Sequence, residues 1–137
     1  MREVNVELTL KNGADIIRAS KGTMTEQNVR SVVVNAIVDT GAMLLVIGDE
    51  LRRKLGLEIL ESRTVALARG STTNCSIAGP VEIHWKNRKS FIRPMVLPNE
   101  KEVLLGVIPL EEMDLMVDPV NNTLVGVHGD EIISRLK

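Results

Sequence analysis

Val38-Asp39-Thr40-Gly41-Ala42 sets a carboxylate at the point where one apolar run ends and another begins. Upstream, Val32-Val33-Val34-Asn35-Ala36-Ile37-Val38 is β-branched and dense enough for a largely buried strand, and downstream Met43-Leu44-Leu45-Val46-Ile47 predicts a second one. Asp39 then occupies a tight turn between them. A carboxylate held close to a core is costly unless its oxygens are hydrogen-bonded, and the neighbours suit that need: Thr40 brings a hydroxyl, and Gly41 lets a backbone N–H approach closely. Asp, Thr and Gly are also ordinary turn residues, so by itself the stretch reads either as a well-satisfied turn or as chemistry.

A second segment bears on that choice. Val103-Leu104-Leu105-Gly106-Val107-Ile108 is an apolar run broken by a glycine where close backbone approach is expected, and Pro109-Leu110-Glu111-Glu112-Met113 follows as a short helix. Turn, spacing, glycine segment and chain length together resemble the single-domain, retroviral-type (retropepsin-like) aspartic proteases, including small prokaryotic relatives. The resemblance covers about Val29 to Val125. It implies a mostly β fold: a closed acid-protease β-barrel with one short α-helix and a flap hairpin.

At 137 residues the chain suits a single domain with a modest core, and it is too short for the two-lobed pepsin arrangement. Two carboxylates are needed, yet the motif occurs once. Asp15, Asp49, Asp114, Asp118 and Asp130 lack comparable apolar flanks with a following Thr-Gly, and Asp118-Pro119 reads as a strand-ending turn. The second carboxylate is therefore expected from a second copy, on the axis of an isologous homodimer.

The resemblance assigns roles residue by residue. Asp39 is catalytic. Two like-charged carboxylates side by side share one proton, as aspartic proteases in general do, so one acts as base toward water while the other protonates the scissile carbonyl. Thr40 and Gly41 support the dyad, Thr40 by a hydroxyl bond across to the other copy's loop and Gly41 also by binding substrate backbone. Ala42 is expected to contact substrate, as are Ala68, Arg69 and Gly70 at the tip of the hairpin Thr64–Ile77, read as the flap. Gly106 lets its segment pack closely behind the loop. The chain departs from the retroviral pattern at Met43 and Val107, where the retroviral enzymes carry an acid and a base. The joint change reads as an apolar contact replacing an ion pair.

Along the rest of the chain, Val4–Leu10 alternates as a half-buried strand, Lys11-Asn12-Gly13 reads as a hairpin turn, and Asp15–Ser20 as the returning strand. Glu50–Leu55 has acids early, bases late and a Gly56 stop, which predicts a short helix with Leu51 and Leu55 inward. Val81–Trp85 and Ser90–Leu97 form a hairpin through a solvated basic turn, Lys86-Asn87-Arg88-Lys89. Asn121-Asn122 turns the last pair of strands. Residues 1–128 form the domain, and 129–137 is a tail whose Ile132, Ile133 and Leu136 fall at helical spacing.

Composition excludes several classes. Lys+Arg 17 against Asp+Glu 18, mixed along the chain, leaves no basic footprint for nucleic acid. Trp85 and Phe91 are the only aromatics, which removes base-stacking platforms and points to an aliphatic core. One cysteine, Cys75, precludes an intrachain disulfide and suits a reducing cytoplasm. His84 and His128 are scattered and read as surface residues, so no metal or other cofactor is expected. The N-terminus lacks the apolar segment of a signal peptide and no run approaches membrane-spanning length, so no membrane partner is expected. The expected partners are a second copy and a peptide or protein substrate. A dimeric binding or scaffold domain that kept the fold but cleaves nothing is the alternative, and an adaptor-type retropepsin-like domain of a larger protein is a further one.

Overall fold

The computed structural model describes residues 3–130. Its strands are β1 (Asn5–Asn12), β2 (Ser31–Val38), β3 (Leu45–Gly48), β4 (Glu58–Ala66), β5 (Thr72–Gly79), β6 (Val81–Trp85), β7 (Arg88–Ile92), β8 (Met95–Leu97), β9 (Val103–Leu105), β10 (Leu115–Asp118) and β11 (Thr123–Gly126). The helices are α1 (Gly13–Ser20), α2 (Asp49–Leu55) and α3 (Val107–Glu112), with a 3-10 turn at Glu26–Asn28. Of the tail expected at 129–137, residues 131–137, with Ile132, Ile133 and Leu136 and their helical spacing, lie outside the described residues.

Nine strands form one sheet in the order β4-β5-β8-β3-β9-β2-β1-β6-β7, and β10-β11 form a separate pair. The fold is mostly β, as expected, but the sheet is open where a closed barrel was expected. Its two edges have different surroundings. Nearly every residue of β4 is exposed, whereas α3 covers the β7 edge, with the Glu112 carboxylate accepting from the Phe91 N–H at 2.7 Å. No helix among the described residues is long and apolar enough to cross a membrane.

The strands alternate as their sequences demand. In β1, Val6, Leu8, Leu10 and Asn12 point inward, and Leu8 lies opposite Val34 of β2. The core is aliphatic, built on Leu8, Leu10, Leu45, Ile47, Leu55, Ile77, Ile83 and Leu105, with Met113 also fully buried. A seven-residue helix such as α2 is not stable alone. Burial of Leu55 and of Leu57 just beyond it, each worth about 1.5–3 kcal/mol, holds it on the sheet. Gly56 ends α2 with φ +68, as its sequence signal requires.

Three helices stand where the family resemblance implied one; α2 and α3 fall where the residues predicted short helices, α1 does not, and two sequence expectations change. Asp15–Ser20 is not a strand but most of α1. The Asn12 side chain accepts from the Asp15 N–H at 3.0 Å and so caps the helix, while its amide donates to Leu55 O at 2.9 Å and ties α1 to α2. The strand that returns along β1 is β2. At the other correction, the β6–β7 turn is only Lys86-Asn87, with Lys86 at φ +50. Arg88 is thereby strand, faces inward beside Ser90, and is 2% exposed rather than solvated. Its guanidinium donates to Met113 O at 2.8 Å, Asp114 O at 3.2 Å and Gly129 O at 2.6 Å.

Candidate active site

Strand β9 runs between the two apolar runs that flank Asp39. It pairs parallel with β2, Val38 beside Leu105, and antiparallel with β3, Leu45 beside Leu105. The loop from Asp39 to Leu44 must therefore arch over the end of β9, onto Gly106. A Cβ on Gly106 would meet Ala42 O at 2.6 Å and would also run into Leu44 O, so only glycine fits beneath the arch. The contact is hydrogen-bonded throughout. Asp39 N donates to Leu105 O at 2.9 Å, and the first amides of α3 donate back to the loop, Val107 N to Ala42 O and Ile108 N to Met43 O, both at 2.9 Å. Amides left without partners inside a helix's first turn thus fix the loop from behind.

Within the loop, the Gly41 N–H donates to Asp39 Oδ1 at 2.9 Å and Ala42 N to Asp39 O at 3.1 Å. Asp39 is half-buried, and Thr40 and Gly41 are exposed. Among the described residues the Asp39 carboxylate has no ion pair and no other hydrogen bond. Other aspartates are committed internally. Asp15, fully buried, binds Arg30 and Arg18; Asp49 binds Arg52 and Arg53; Asp114 binds His128; and Asp118 accepts from the Asn121 side chain. The Arg30 hydrogen bond, against an opposing cost of burial, holds the Asp15 carboxyl below the usual carboxylate range. Asp49 is lowered chiefly by Arg52, and Asp118 chiefly by Asn121.

Asp39, Gly41, Ala42 and Gly106 are brought together, and the Thr40 hydroxyl makes no hydrogen bond within the described residues. The hairpin tip is a separate feature. Leu67 N donates to Ser71 O at 2.7 Å and Gly70 N to Leu67 O at 2.9 Å; Gly70 has φ +85 and open space around it. Ala68, Arg69 and Gly70 are exposed, and no hydrogen bond among the described residues joins them to the Asp39 loop. Met43 does not close an apolar contact inward. It is 65% exposed, beside Ile108 at 41%, and the two extend an apolar rim next to Asp39.

Sequence reading missed partners for both histidines. His84 Nε2 is 2.6 Å from Glu82 Oε1, two residues away on the same face of β6, and His128 Nδ1 is 2.9 Å from the Asp114 carboxylate. The i, i+2 spacing of Glu82 and His84 was a usable signal; the Asp114–His128 contact depends on the β10–β11 hairpin. Among the described residues no three His, Cys, Asp or Glu side chains gather in a way that could hold a metal ion.

No protein-family model and no curated protein matches the chain. Solved structures do. The retroviral protease-like domain of Ddi1 from Leishmania major aligns over 74% of this chain and 82% of its own, at 21% identity and TM-score 0.52. A retropepsin-like aspartic protease from Rickettsia conorii aligns over 64% of this chain and 76% of its own, at 26% identity and TM-score 0.43. The likeness to the Leishmania domain establishes the fold, which is retropepsin-like.

Proposed function

We propose that the chain is an aspartic endopeptidase that works as a homodimer, one Asp39 from each copy forming the catalytic pair. The observation that carries this reading is the state of the Asp39 carboxylate. It is half-buried on a loop fixed from behind by β9 and α3, yet its sole hydrogen bond among the described residues comes from Gly41. A structural carboxylate at such a place is normally paired, as Asp15 and Asp49 are here. An oriented and unspent one suits a second carboxylate and a water. The exposed Met43 beside it suits burial by a second copy.

In the reaction, one Asp39 removes a proton from the water as it attacks the scissile carbonyl carbon, and the other gives its proton to the carbonyl oxygen. When the C–N bond breaks, the protonated Asp39 gives its proton to the amine nitrogen while the other takes one from a hydroxyl of the tetrahedral diol, so that the acid and amine leave and the dyad again holds one proton. Thr40, whose hydroxyl has no hydrogen bond among the described residues, reaches the other copy's loop; Gly41 and Ala42 bind substrate backbone; the tip Ala68-Arg69-Gly70 closes over an extended peptide, which lies as an added strand. Free, buried Cys75 accords with a reducing cytoplasm.

The test is cleavage of a diverse peptide mixture from acidic to neutral pH beside Asp39→Asn. Cutting by the wild type alone supports the enzyme. No cutting by a dimeric wild type rejects it and leaves the silent binding domain, whereas equal cutting by both proteins marks a contaminant and leaves Asp39 unassigned.

A further inference from the structure

A pocket of about 150 Å³ opens between the Asp39 loop and the base of the β4–β5 hairpin. Its apolar walls are Leu44, from the end of the loop, Ile108 of α3, Ile77 of β5 and Ile92 of β7, and its charged walls are Arg63 of β4 and Arg93. Ile108 N is bonded to Met43 O, so this wall belongs to the same assembly that fixes Asp39. Leu44 is five residues from Asp39, a distance that even a fully extended chain limits to roughly 17 Å. A peptide cut at Asp39 therefore reaches the pocket within a few residues of the cut. A cavity of this size lined by Leu and Ile takes a benzene-sized apolar group, which matches one branched aliphatic side chain.

The two arginines differ in availability. Arg63 holds Glu61 at 2.6 Å, both about half exposed, whereas Arg93 is exposed and has no ion pair among the described residues. An extended peptide presents side chains i and i+2 on one face. A peptide with its aliphatic residue in the pocket thus brings the side chain two places away toward this cationic rim.

Resting on the endopeptidase reading, we propose that this pocket selects substrates carrying a Leu, Ile or Val separated by one residue from an Asp or Glu, the aliphatic group filling the pocket and the carboxylate meeting Arg93. The sequence alone gave no reason to join Arg63, Arg93 and Leu44, because they come together only when the hairpin folds back toward the loop.

Four otherwise identical peptides, containing Leu-x-Glu, Leu-x-Gln, Leu-x-Lys or Ala-x-Glu, test it. They are compared by kcat/KM with the wild type and by fluorescence-anisotropy Kd with Asp39→Asn, which needs no turnover. The expected order is Glu over Gln over Lys, roughly twofold to fivefold per step, the range of an exposed charge pair. Leu over Ala is expected to be roughly tenfold. Arg93→Glu, an exposed substitution whose folding is checked by its melting curve, should invert the Glu-to-Lys order, and Arg63→Glu should flatten it. An order unchanged by Arg93→Glu, or no loss with Ala, overturns the proposal. Binding in the expected order without any cleavage by wild type rejects the peptidase and keeps the pocket. Cleavage without the order does the reverse, and neither binding nor cleavage rejects both.

Discussion

The Gly41 N–H sits 2.9 Å from Asp39 Oδ1, and a Cβ on Gly41 would approach that same oxygen to 3.1 Å. Backbone donor and bare Cα therefore position one carboxylate together. Gly41→Ala keeps the donor but pushes the oxygen by a few tenths of an ångström. Stability is expected to change by less than about 1 kcal/mol, since the residue is exposed. The peptidase rate is expected to fall roughly tenfold or more, because small misplacements of a reacting group are costly. Melting curves and kcat/KM on one peptide check both, and an unaltered rate would show that this contact does not set the carboxylate.

Gly106 behaves oppositely, since its missing Cβ makes room for the loop rather than for chemistry. With Ala42 O at 2.6 Å from the added carbon and Leu44 O closer still, the arch must lift off β9. Gly106→Ala is expected to lose about 3 kcal/mol, the upper range for overpacking, seen as a lower urea midpoint at unchanged slope. Activity should fall with it.

How much of this was legible beforehand follows from range. Asp39, Gly41 and Gly106 could be read because each carries a local backbone requirement, visible as a glycine or a turn between apolar runs. α1 was misread since Ile16 and Ile17 are β-branched, although Asn12 followed by Asp15 offered a capping signal. Arg88 was hidden by register. Within Lys86-Asn87-Arg88-Lys89 only turn length decides which cation points inward, and a two-residue turn makes it Arg88. The open sheet was hidden for a similar reason, because closure depends on what lies beside β4 and β7, and no local pattern records that.

The Asp15–Arg30 pair is expected to contribute to the acid limit of the fold. The folded Asp15 carboxyl lies below its unfolded value, mainly through the Arg30 hydrogen bond, so its contribution is complete above about pH 4 and is lost as pH falls through the lowered value. Arg30→Met leaves a fully buried carboxylate with Arg18 as its remaining cation. A loss of about 2–3 kcal/mol at neutral pH is expected, less than for a wholly buried pair because half of the Arg30 side chain is in water. Raising the folded value also means that acid unfolding should begin at higher pH. Circular dichroism from pH 7 to 2 checks this, and coincident acid transitions in the two proteins would show that Asp15 is not the group responsible.

The proposed dimer makes the sharpest quantitative claim. If each active site needs an Asp39 from both copies, a subunit carrying Asp39→Asn spoils every site it enters. Asp39→Asn exchanges one carboxylate oxygen for an amide nitrogen on a half-buried side chain, and Gly41 still finds an acceptor in the amide oxygen, so the variant should assemble with wild type at random. After unfolding and refolding a one-to-one mixture at fixed total concentration, active homodimers make up about a quarter of all dimers, so activity should drop to about a quarter of the pure enzyme's. Monomers that act alone would retain about a half. Dilution supplies an independent readout, since activity per molecule should decline below the dimer dissociation constant, and light scattering on the same samples should show the mass halving in step. A rate that stays proportional to wild-type content, at a mass that never exceeds one chain, would remove the second carboxylate and with it the mechanism.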